Sequence, residues 1–119
     1  MTTLTYVLLI DRTGGDDPTP ADERTALAGH RKLQAAAAAT GDLHAVAKLG
    51  DAPRAKTVRK LGDRHAVTDG PYVDSKEWLV GFYLLDCATE AEALERAHLL
   101  CPIADHAIEV RPVDWRWRP

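Results

Sequence analysis

Two segments of this chain are apolar on both faces of an extended backbone, and only two others read as helices able to cover them. From Leu4 to Ile10 the run is Leu, Thr, Tyr, Val, Leu, Leu, Ile, rich in β-branched and aromatic side chains and ended by Asp11-Arg12-Thr13-Gly14-Gly15. Successive side chains of a strand point to opposite faces. Thr5, Val7 and Leu9 therefore share one face, and Leu4, Tyr6, Leu8 and Ile10 the other. Trp78–Asp86 repeats the pattern, with Val80, Phe82 and Leu84 against Leu79, Tyr83 and Leu85. Such strands belong in the middle of a sheet buried on both sides. A single layer of two helices covers one face, so the other would leave a larger apolar patch than a soluble monomer tolerates. The expectation is a homodimer, with two sheets packed face to face or joined at their edges.

The remaining elements follow from local signals. Thr19-Pro20-Ala21-Asp22 places a capping threonine, a proline at the first helical position and an acid at the positive end of the helix dipole. The helix runs through the alanine block Ala35–Ala39 to Thr40-Gly41, where glycine suits a left-handed C-terminal stop. Ala26, His30, Leu33 and Ala37 fall on its sheet-facing stripe. Leu43 to Leu49 reads as a second strand, and Ala55–Arg59 and Arg64–Thr68 as a hairpin about Leu61-Gly62-Asp63. Thr89-Glu90-Ala91-Glu92 is a capping box, opening a helix with Leu94, Ala97 and Cys101 inward and Pro102 at its end. Ala107 to Val113 reads as a last strand with Ile108 and Val110 on one face. The order β, α, β, hairpin, β, α, β is the split βαβ plan. It predicts an α+β, ferredoxin-like fold: a four-stranded antiparallel sheet, two helices on one face and an inserted β-hairpin.

A length of 119 residues suits one domain, expected over residues 1–113, with a short Trp/Arg tail at 114–119. A net charge of -3 gives no field to recruit nucleic acid or an anionic membrane, and no apolar run approaches transmembrane length. The start, Met1-Thr2-Thr3-Leu4-Thr5-Tyr6, lacks a basic leader and a small-residue cleavage site, so a cytoplasmic location is expected. Cys87 and Cys101 form no CxxC pair and read as buried free thiols.

The densest cluster of unusual residues is Val67-Thr68-Asp69-Gly70-Pro71-Tyr72-Val73-Asp74-Ser75-Lys76-Glu77-Trp78-Leu79-Val80-Gly81-Phe82-Tyr83. It resembles the signature of the DGPF subgroup of the YCII-related (YciI-like) proteins, T-D-G-P-F-x-E-T-K-E followed by a glycine and an aromatic strand. Tyr72 stands for the usual phenylalanine, Asp74 for the glutamate and Ser75 for the threonine. The resemblance takes in Tyr6-Val7-Leu8-Leu9-Ile10, the helix ending at Gly41, Leu84-Leu85-Asp86 and Ile108-Glu109-Val110-Arg111-Pro112-Val113. The Trp-Arg-Trp-Arg tail is outside the family pattern. The resemblance implies a dimeric α+β barrel or ferredoxin-like fold. It also implies a histidine on the first helix eleven residues before its terminal glycine, a spacing that His30 and Gly41 reproduce.

Histidine titrates near neutrality and can pass a proton. His30 with Asp69 or Glu77 as carboxylate would suit isomerisation, elimination or hydrolysis of a small organic acid, the chemistry that distant relatives suggest. Lys76, Asp74 and Tyr83 are then the candidate substrate-binding residues, Lys76 holding the anion. Two plainer accounts stand beside this one: a turn stabilised by its own side chains and ion pairs, and a histidine satisfied by one hydrogen bond where helix meets sheet. His44, His65, His98 and His106 have no metal-ligand spacing, the single serine Ser75 is in no nucleophile elbow, and no phosphate loop is present, so no metal or cofactor is expected. The alternative function is a non-catalytic accessory or regulatory protein, since DGPF members are often encoded beside extracytoplasmic-function sigma factors. The apolar sheet face and the Trp115–Arg118 tail would then make the contacts.

Overall fold

The computed structural model describes residues 4–13, 19–72, 77–102 and 106–117. Its elements are β1 (Leu4–Thr13), α1 (Pro20–Ala39), β2 (Leu43–Lys48), a 3-10 turn (Ala52–Arg54), β3 (Lys56–Leu61), β4 (Arg64–Asp69), β5 (Glu77–Cys87), α2 (Glu90–Leu99) and β6 (His106–Pro112). The four-stranded sheet runs β2-β5-β1-β6 with every neighbour antiparallel, while β3 and β4 form a separate two-stranded sheet. The α+β plan expected from the sequence is the one observed.

The central pair is β1 with β5, in which Tyr6 faces Leu85, Leu8 faces Tyr83 and Ile10 faces Gly81. Tyr6, Leu8 and Ile10 join Tyr83, Leu85 and Cys87 in one core with Leu33 of α1 and Ala93 of α2, which puts both helices on the same side of the sheet. The opposite face carries the cross-strand pairs Val7 with Leu84 and Leu9 with Phe82, all four partly exposed. No helix covers it among the described residues.

Both helices start on the expected caps. Thr19 Oγ1 accepts the Asp22 N–H at 3.1 Å and the Asp22 carboxylate accepts the Thr19 N–H at 3.2 Å, a reciprocal box. At α2, Thr89 accepts from the Glu92 amide at 3.1 Å. The Glu92 carboxylate reaches the Ala88 N–H at 3.1 Å, one residue short of the expected cap amide. Gly41 and Gly70 take φ of +73° and +99°, the left-handed values that the end of α1 and the Asp69-Gly70-Pro71 turn require.

Three expectations are corrected. The inward stripe of α2 is Ala93, Ala97 and, just past its end, Leu100, because the helix stops at Leu99; Leu94 and Cys101 are exposed instead. Cys87 is the buried thiol, whereas the Cys101 Sγ lies 3.1 Å from the His106 carbonyl. The third concerns β5, where the register against β1 slips between Ile10 and Asp11, skipping Val80. Val80 consequently packs against the core and Leu79 is exposed, the reverse of strict alternation.

Arg96 fastens α2 to the sheet, donating to the Asp86 carbonyl at 2.8 Å and pairing with Glu92 at 2.8 Å and Asp42 at 3.3 Å. The helices themselves meet at Gly29, where an added Cβ would collide with the Leu99 carbonyl oxygen. On an open helix surface, Gly to Ala gains about 1 kcal/mol. Gly29→Ala reverses the sign here, and urea unfolding is expected to show a loss of about 1–3 kcal/mol from overpacking. A stabilised variant would contradict this close approach.

Candidate functional site

Tyr83 is fully buried on the core face of β5, yet it carries a hydroxyl that must find partners. The helix stripe supplies them. His30 Nδ1 lies 2.7 Å from the Tyr83 hydroxyl and Gln34 Nε2 donates to it at 3.0 Å. The tautomer with its proton on Nε2 lets the hydroxyl donate to His30 Nδ1 while its oxygen accepts from Gln34, which satisfies the phenol as donor and as acceptor. The two rings also stack, with centroids 5.7 Å apart and planes inclined by 25°. Burial pushes His30 below its ordinary value near 6.5, and the charge of His106 adds to the effect. The neutral imidazole that this bond needs is therefore the favoured form at neutral pH. Burial likewise pushes Tyr83 upward, partly offset by the bond from Gln34.

Of the residues singled out from sequence, His30 and Tyr83 are in direct contact. Asp69 sits at the end of β4, exposed, and forms an ion pair with Lys56 across the hairpin. Its turn is tied back by Gly70 N–H to the Ala55 carbonyl at 2.7 Å and by Thr57 Oγ1 to the Gly70 carbonyl at 2.8 Å. These are the bonds of a self-supporting turn. Asp74, Lys76 and the Glu77 side chain lie outside the described residues.

Gln34 carried no expectation from the sequence, and His106 only that it has no metal-ligand spacing. Gln34 stands one helical turn after His30, so the spacing that marked His30 also carried it. A histidine–carboxylate pair elsewhere on the sheet was not readable at all. His44 Nε2 donates to Asp86 at 2.9 Å, while Thr5 Oγ1 donates to the other carboxylate oxygen at 2.7 Å. Burial pushes Asp86 upward, but the bonds from Thr5 and His44 and the charges of His44 and Arg116 outweigh it and hold the carboxyl below its usual range. This cluster depends on the irregular pairing of β2 with β5 between Leu43 and Ala45. It also depends on the tail, which leaves β6 through a bond from Val113 N–H to the Thr5 carbonyl and brings Arg116 near Asp86.

The lowered His30 value links protonation to stability. Between the folded value and 6.5 the unfolded chain binds more protons, so stability rises with pH across that window and falls as pH drops through it. Stability measured from pH 7 to pH 5 is expected to decline more steeply for the native chain than for His30→Gln. Parallel curves would contradict a buried neutral His30.

The family model for the YCII-related domain matches residues 5–118. An uncharacterised protein of Rhizobium meliloti (strain 1021) is 41% identical over 75 residues, which are 61% of this chain and 60% of that relative. The matched stretch thus spans less than two thirds of the relative's length. With the family match running through nearly all of the sequence, from the first strand into the tail, the chain belongs to the YCII-related domain family.

Proposed function

We propose that this YCII-related protein is a small-molecule enzyme whose acid–base group is His30, acting on a small organic acid between α1 and the sheet. The observation that supports it is the His30–Tyr83–Gln34 chain of hydrogen bonds. It holds a neutral, half-buried imidazole with one nitrogen engaged and the other carrying a proton. Such a ring gives its Nε2 proton to a substrate oxygen while Nδ1 takes the Tyr83 hydrogen, which leaves the negative charge on a Tyr83 phenolate held by the Gln34 hydrogen bond until the proton returns from the substrate. Isomerase, lyase and hydrolase chemistry all use a transfer of this kind. In this reading Asp69 and Glu77 of the signature are the carboxylates, and Lys76 and Asp74 position the substrate. The turn Asp69-Gly70-Pro71 also supports placing the chain in the DGPF subgroup.

The working unit in this proposal is a homodimer. Val7, Leu9, Phe82 and Leu84 present an apolar strip on the sheet face opposite the helices, and a second copy packed on the same strip removes it from water. A non-catalytic role in binding another protein draws on a different observation, the exposure of Trp115 and Trp117 at 78% and 72%.

Two measurements test these readings. Mass spectrometry of small molecules retained by the purified protein is expected to identify an organic acid, and Tyr83→Phe and His30→Ala to lower its turnover by about 100-fold or more. A full rate in His30→Ala with fold intact would remove the acid–base role. Sedimentation equilibrium is expected to give a dimer that Phe82→Glu converts to monomer. A native monomer at micromolar concentration would refute the sheet-face assembly.

A further inference from the structure

A cleft separate from the His30–Tyr83 contact lies where the hairpin joins the main sheet. It encloses about 470 Å³ between the end of β2, the 3-10 turn and the start of β5, within the range of about 300–1,000 Å³ typical of small-molecule sites. Its walls are mostly apolar, with Leu49, Pro71, Trp78 and Leu79 among them. Leu49 and Leu79 are 37% and 42% exposed, so these side chains stand partly open to water.

The cleft is anchored at several points. Leu49 N–H donates to the Val80 carbonyl at 2.9 Å, extending the β2–β5 ladder to the rim. Arg54 N–H donates to the Asp51 carbonyl at 2.9 Å and Ala55 N–H to the Ala52 carbonyl at 3.0 Å, which close the 3-10 turn. The bond from Gly70 N–H to the Ala55 carbonyl then holds the Pro71 wall against it.

The positive charge at this site belongs to Arg54. Its guanidinium lies over Gly50, so close that a Cβ there would come within 3.0 Å of Nη1. Among the described residues no acceptor or carboxylate pairs with that guanidinium. An unpaired guanidinium beside apolar walls is complementary to a carboxylate attached to an apolar body, which it binds through two parallel hydrogen bonds. Asp51 also borders the cleft, and its negative charge opposes a second carboxylate.

We propose that this cleft binds a monocarboxylate with a planar apolar body, its carboxylate on Arg54 and its ring against Trp78. The proposal does not rest on the His30–Tyr83 reading. The test is a titration of the full-length protein with 3-phenylpropionate, followed by NMR of the Trp78 indole N–H, assigned with Trp78→Phe. The expected result is a saturable shift of that signal with the His30 ring signals unmoved, an affinity at least about tenfold weaker in Arg54→Gln, and no saturation with phenethylamine, which carries the opposite charge. Equal affinity in Arg54→Gln, equal binding of phenethylamine, or a response confined to His30 and Tyr83 would overturn it. So would a Trp78 signal that follows protein concentration and ignores the probe, which would mean that a second copy fills the cleft.

Discussion

The pairing of β1 with β5 decides where everything else can go. Leu8 opposite Tyr83 and Tyr6 opposite Leu85 put these four side chains of the central strands on one face. That face must be covered, and α1 and α2 cover it with Leu33, Ala93 and the adjoining Leu100. The register also fixes the polar chemistry, because it delivers the Tyr83 hydroxyl into the core within reach of α1. Leaving such a group without partners costs about 1–3 kcal/mol. His30 and Gln34, one turn apart on α1, meet that requirement together, so the same contact that completes the core sets the ionisation of the histidine.

The small residues of the helices serve this contact. Gly29 lets α1 approach the end of α2, with no side chain between it and the Leu99 carbonyl. Ala37 of α1 and Ala93 and Ala97 of α2 are buried, and α2 is then locked down by Arg96, whose guanidinium joins β5, Asp42 and Glu92. The hairpin is held differently. Its cross-strand pair Val58 and Val67 is exposed, and the bonds of the Asp69-Gly70 turn tie it to the chain around Ala55. The fold therefore has a tightly buried helix–sheet body and a projecting β-ribbon, with the Arg54 cleft at their junction.

Much of the body was legible because it obeys simple periods. Alternation in β1 gave Tyr6, Leu8 and Ile10, and the helical stripe gave His30, Leu33 and Ala37 on the covered side. The signals failed where the chain departs from those periods. The slip between Ile10 and Asp11 turned Val80 inward and Leu79 outward, and no residue type announces it. On α2 Ala97 is inward as expected, but Ala93 and Leu100 take the places of their neighbours Leu94 and Cys101, since each pair is apolar and only packing chooses between its members. The His44–Asp86 pair needs strands that are far apart in sequence to meet at an irregular register. Arg54 escaped notice because its importance is the absence of a partner, which a sequence does not record.

The chemistry of the site turns on Tyr83 donating to a neutral His30. Nitrogen NMR of the His30 ring, with assignment from His30→Gln and comparison with Tyr83→Phe, reads it directly. The account predicts an Nδ1 signal of the unprotonated, hydrogen-bonded type and a protonated Nε2 at neutral pH, titrating below the ordinary value near 6.5. It further predicts that Tyr83→Phe shifts the Nδ1 signal toward that of a free acceptor. A proton on Nδ1, or an imidazolium at neutral pH, would contradict it.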